Sequence, residues 1–146
     1  MRKILASVFA AALFGLSPGI LGAASAESHW PASARVYFIE PANGAVVNGK
    51  VAVKFGLSGM GVAPAGVDKP NTAHHHLLID MGAPTGAALN QPLPSNAHIK
   101  HFGGGQTETV LDLPPGKHSL QLIMGDAFHI PHDPPLESEK IEIEVK

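Results

Sequence analysis

Hydrophobic and polar positions alternate in several short runs. From Lys50 to Leu57, Val51, Val53, Phe55 and Leu57 fall on one face and Lys50, Ala52, Lys54 and Gly56 on the other, the two-residue period of a half-buried strand. Near the end of the chain Ile141, Ile143 and Val145 alternate with Glu142, Glu144 and Lys146, which predicts an outer or edge strand over Glu139 to Lys146. Arg35 to Glu40 is rich in β-branched and aromatic residues and stops at Pro41, with Asn43-Gly44 behind it as a turn signal. Gln106 to Leu113 and His118 to Met124 read as two further strands joined by the turn Pro114-Pro115-Gly116, and His76 to Asp80 reads as another.

Between these runs lie two long connections, Gly59 to Pro70 and Met81 to Gly105, broken by proline and glycine. Irregular connections of the second one's length are uncommon and are usually functional or disordered; this one is expected to pack over one end of the sheets. No helical period appears. The pattern predicts an all-β fold, an immunoglobulin-like antiparallel β-sandwich of six or seven strands with long loops rich in histidine, proline and glycine. A Greek-key barrel is the competing arrangement. The core should use Val51, Val53, Phe55, Leu120 and Leu122.

The first residues carry a different signal. Arg2 and Lys3 precede an apolar run from Ile4 to Leu16, and small residues end at Ala24-Ser25-Ala26, as in a secretory leader with an A-x-A cleavage site. The run is too short to span a bilayer, so cleavage after Ala26 is expected, with export to the periplasm or beyond and no membrane span afterwards; a retained anchor is the lesser alternative. Residues 27–146 then form one domain of about 120 residues, enough for a single core. Removing Arg2 and Lys3 makes the balance more acidic than the full chain's formal charge of −2, so a nucleic-acid partner finds no basic footprint.

The chain has no cysteine, which excludes disulfides, thiolate nucleophiles and thiolate metal sites. It has 9 histidines. His29 lies beside the cleavage site and reads as part of a free terminus. His118 follows a glycine by two residues and takes the place of the aromatic that bonds back to the main chain at the corner of many β-sandwiches, so it reads as structural.

The remaining histidines fall in three groups at strand–loop junctions: His74, His75 and His76; His98 and His101; His129 and His132. In an extended strand His74 and His76 share a face and His75 takes the other. Convergence of His74, His76, His98, His101, His129 and His132 at one end of the sheets would supply three or four neutral nitrogen ligands, a set suited to a copper or zinc ion. Met60, Met81 and Met124 could each add a thioether. The alternative is a non-metal role, in which the imidazoles form a hydrogen-bond cluster in a structural module or one that docks a periplasmic protein partner. A metal-dependent enzyme, with two histidines and Asp80, Asp126 or Asp133 as a facial triad, is the least supported reading. Gly103-Gly104-Gly105-Gln106 lacks the lysine of a phosphate loop, and Ser58-Gly59-Met60-Gly61 is not a nucleophile elbow.

Four stretches, H-H-H-L-L-I-D, H-F-G-G-G-Q-T-E-T, L-P-P-G-K-H-S-L-Q-L and G-D-A-F-H-I-P-H-D-P-P, together resemble a secreted bacterial family, domain of unknown function 4399, over about Val36 to Val145. The resemblance implies a periplasmic location and supports the domain boundaries.

Overall fold

The computed structural model describes residues 28–146, all in β-strands and loops apart from one five-residue 3-10 turn at Gly86–Asn90. The leader expected over residues 1–26 lies outside the described residues. The strands are β1 (Arg35–Glu40), β2 (Val46–Val47), β3 (Val51–Ser58), β4 (Gly61–Val62), β5 (Thr72–Ile79), β6 (Ile99–His101), β7 (Glu108–Leu111), β8 (Gly116–Gly125) and β9 (Ile141–Val145). One sheet has the order β1-β3-β7; the other runs β2-β9-β8-β5-β4, with β6 also paired to β5.

The alternating runs become strands because each has one face to bury. Val36 from β1, Val51, Val53 and Phe55 from β3 and Leu111 from β7 meet Leu77, Ile79, Leu120, Leu122, Met124, Ile141, Ile143 and Val145 of the larger sheet in one core. All five anticipated core residues are buried there. Burying side chains of this size stabilises by roughly 1.5–3 kcal/mol each before the entropy of ordering is subtracted.

The pairing is mixed, whereas the sequence predicts it antiparallel. β2 runs parallel to β9 and β4 parallel to β5, each over two residue pairs. β9 is consequently flanked on both sides, by β8 and β2, and is not an edge. Asn43 Oδ1 accepts the Glu142 N–H at 2.9 Å and helps hold β2 there.

The long connection covers a face of the larger sheet, where the sequence places it over an end. Leu89, Leu93 and Ile99 from that segment bury Leu78 of β5 and Ile123 of β8 in a second, smaller apolar cluster. β5 is therefore covered on both sides, and His74 through Ile79 are all buried.

His118 is a locally bonded, structural imidazole, as the sequence suggests. Its Nε2–H donates to the Pro114 carbonyl at 2.8 Å, and its Nδ1 faces Asp80 Oδ2 at 2.7 Å. The carboxylate and the carbonyl raise its pKa. Burial works to raise that of Asp80, but bonds from His118 and the Ser119 N–H outweigh it and bring it below the ordinary value.

Candidate metal centre

The strand parity of β5 sorts the histidine triplet. His75 points inward with Leu77 and Ile79, its ring centroid 4.9 Å from that of Phe55. Neither of its nitrogens makes a hydrogen bond of good geometry, and burial lowers its pKa to about 4, offset only in part by the main chain of Gly56 nearby. His74 and His76 point to the opposite face, toward β6 and the loop after β8.

Register supplies the next imidazole. His76 pairs across β5–β6 with His101 and across β5–β8 with Ile123, so the His76 and His101 rings lie side by side, centroids 4.4 Å apart. Gly125 makes room for this. A Cβ there would stand 2.5 Å from His76 Cε1, inside any contact distance, so the ring packs directly over bare backbone.

The loop after β8 contributes the central imidazole. Asp126 Oδ1 accepts the N–H groups of Phe128 at 2.8 Å and Ile130 at 3.0 Å, and the His129 N–H bonds the Asp126 carbonyl at 3.0 Å. This wrapped turn holds His129 at φ 67°, a left-handed conformation that histidine adopts more readily than most side chains. The Leu93 N–H donates to the His129 carbonyl and the His132 N–H to the Leu89 carbonyl, tying the loop to the covering segment.

His129 Nδ1 is thereby surrounded. His74 Nε2 lies 2.9 Å from it, His76 Nε2 3.2 Å and His101 Nδ1 3.2 Å. The ligand atoms of His74, His76 and His129 all fall within 4.8 Å of one another. His101 Nε2–H donates to the Pro94 carbonyl at 2.9 Å. That bond fixes its tautomer and leaves the Nδ1 lone pair facing the cluster, the role a carbonyl plays behind metal-bound histidines.

The protons available limit how far these nitrogens can satisfy one another as a hydrogen-bond network. His101 Nδ1 is a fixed acceptor, so it is satisfied only if His129 Nδ1 carries a hydrogen. That one hydrogen cannot also serve His74 and His76, and an N–H on either would point at it. Three nitrogens thus compete for one proton. A cation would instead accept every lone pair. For metal–nitrogen bonds of about 2.0–2.1 Å, tetrahedral ligands stand about 3.3 Å apart, close to the separations of His129 Nδ1 from its three neighbours; the group whose ligand atoms all lie within 4.8 Å of one another is His74, His76 and His129, and His101 adjoins it through His129 Nδ1.

Burial keeps these rings neutral. Burial lowers the pKa of His74 to about 4 and that of His76 to about 2, in each case with further lowering by neighbouring imidazoles. Burial and His101 also lower His129, partly offset by Asp126. The Nδ1 atoms of His74 and His76 are buried without partners.

Of the six histidines singled out in the sequence, four come together: His74, His76, His101 and His129. They do so on the outer face of the larger sheet, near the end of β8, rather than at an end shared by both sheets. His98 lies apart, its Nδ1–H bonded to the Ile79 carbonyl at 2.9 Å. His132 turns to Asp126 Oδ2 at 2.9 Å. Met124 is in the inter-sheet core and Met81 packs in the second apolar cluster. Gly125 and the turn-forming role of Asp126 escaped the sequence reading, although an Asp just past a strand, before a histidine–proline loop, is a turn signal.

Fold and site together define an all-β domain with a buried imidazole cluster that could hold a metal and that also makes a hydrogen-bond network. The chain belongs to the family described as domain of unknown function DUF4399, whose model matches residues 53–146. No curated protein matches it. Among solved structures, the endo-beta-1,4-mannanase from Thermotoga petrophila aligns with 77% of this chain and 20% of that one, at 16% identity and a TM-score of 0.45. The chain spans a fifth of that enzyme, and so distant a likeness bears on neither fold nor function. No helix among the described residues is long and apolar enough to cross a membrane.

Proposed function

We propose that this protein binds a divalent transition metal through His74, His76 and His129, with His101 as fourth ligand. The carrying observation is the convergence of three ring nitrogens on His129 Nδ1 at 2.9–3.2 Å, more lone pairs than one proton can satisfy. Tetrahedral spacing without thiolate favours zinc; copper, which outranks zinc in affinity for nitrogen ligands, is the competitor. Four protein ligands would close the coordination sphere, which fits holding or carrying the ion better than catalysis.

The leader-like first 26 residues support a periplasmic or secreted setting, where imidazole resists the oxidation that would disable a thiolate. The His118 corner supports an immunoglobulin-like sandwich as the finer description of the fold.

The test is titration of metal-free protein with zinc or copper at pH 7.5, followed by thermal melting. An ion that binds only the folded state raises the Tm, by the equivalent of about 2.7 kcal/mol at a hundredfold excess over Kd. His76→Ala and His129→Ala should abolish the rise and His98→Ala should not. A stoichiometric ion that leaves the Tm unchanged would return the cluster to a purely structural role.

A further inference from the structure

Asp126 has two carboxylate oxygens and uses only one to build its turn. Oδ1 accepts the Phe128 and Ile130 N–H groups, which orients the group firmly, while Oδ2 faces His132 Nε2 at 2.9 Å. Against His132 lies a second imidazole. His29 stacks on it with ring centroids 3.6 Å apart and planes inclined by 10°. The segment carrying His29 is anchored rather than loose, because Trp30 is buried and its indole Nε1–H donates to the Pro131 carbonyl at 2.8 Å. One ligand atom from each of His29, Asp126 and His132 lies within 4.8 Å of the others.

We propose that His29, Asp126 and His132 form a second metal site, open to solvent and distinct from the four-imidazole cluster. Two nitrogens and one carboxylate oxygen suit zinc or another divalent first-row ion. The two rings lie in near-parallel planes, so their in-plane lone pairs do not meet one ion as stacked; the exposed His29 ring has to tilt out of the stack to bring its nitrogen onto an ion held by Asp126 and His132. The hydrogen bonds to Oδ1 hold the carboxylate as the backing groups of metal ligands commonly do.

The surroundings differ from those of the inner cluster in a way that decides the chemistry. His29 and Asp126 line a pocket of about 340 Å³ with Lys69, Asn71 and Thr72. Three protein ligands beside such a pocket leave coordination positions for water or a small anionic ligand, so the outer ion exchanges where an inner one would be enclosed.

The experiment is calorimetric titration of the metal-free protein with zinc, and with cobalt(II) for its visible spectrum, at pH 7.5. The unmodified protein should take two equivalents, one giving the intense absorption of tetrahedral cobalt and one the weak absorption of a higher-coordinate ion. His29→Ala and His132→Ala should each take one equivalent and keep the intense band; His76→Ala should keep only the weak one. The second site is overturned if the unmodified protein saturates at one equivalent, if His29→Ala still takes two, or if His132→Ala keeps the ion that His29→Ala loses. The inner site fails by a different sign, absence of the intense band or its survival in His76→Ala.

Discussion

Lowering the pH of the metal-free protein should destabilise it steeply, by an amount that follows from the buried imidazoles. His74, His75 and His76 are each 0% exposed, with pKa values lowered from 6.5 to about 4, about 4 and about 2. Above pH 6.5 these rings are neutral whether the chain is folded or not, and they contribute no pH dependence. Below it the unfolded chain binds protons that the folded chain refuses, so stability falls with pH until the folded-state values near 4 are reached. From pH 7.5 to 5 this amounts to roughly 2 kcal/mol for each histidine, or roughly 6 kcal/mol for the three. A domain of this size has only about 5–15 kcal/mol in total.

His118 acts in the opposite sense. Its pKa is raised by Asp80, so its contribution is fully present below 6.5 and is lost as pH rises through the folded value. One raised histidine offsets only part of the loss from three lowered ones. The assay is melting of metal-free protein by circular dichroism at half-unit intervals between pH 7.5 and 5, where a fall in Tm of roughly 15–25 °C is expected. A fall under about 5 °C would mean that the imidazoles are hydrated or charged in the folded protein, which would undo both the burial argument and the neutral-donor argument.

His75→Leu should stabilise the metal-free protein by about 1–3 kcal/mol in urea unfolding, because it replaces two unpartnered buried nitrogens with apolar surface, and it should leave metal stoichiometry unchanged. Gly125→Ala should keep the fold but weaken zinc binding tenfold or more in calorimetry, since its Cβ would displace the His76 ring; unchanged affinity would show that the ring is not held in its binding position. His118→Ala should cost about 1–3 kcal/mol through loss of the bonds to Asp80 and Pro114, with a larger cost at pH 5.5 than at 7.5.

Much of the fold was readable because burial writes itself into local alternation. Val51, Val53 and Phe55, and likewise Ile141, Ile143 and Val145, announce their strands by period alone, and the same period sorts His75 from His74 and His76. What local pattern cannot carry is pairing. The two-residue strands Val46–Val47 and Gly61–Val62 are too short to have a period and exist only because β9 and β5 offer them free edges. His98 and His101 look equivalent in sequence. Only the register of β6 against β5 sets His101 beside His76 while His98 turns to the Ile79 carbonyl.

The site's position on a sheet face follows from contacts of the same long-range kind. Leu89 and Leu93 read as isolated apolar residues in a proline-rich connection, yet they bury Leu78 and Ile123, and their main chain bonds the loop carrying His129 and His132. Covering that face removes water from His74 and His76, and without water each polar nitrogen must find a partner or remain costly. Leaving several neutral lone pairs together is unfavourable for a protein alone and becomes favourable once a cation occupies the space between them. The same burial that makes the metal-free protein sensitive to acid therefore increases what an ion can contribute on binding, since the imidazoles have already lost their water and their competing protons.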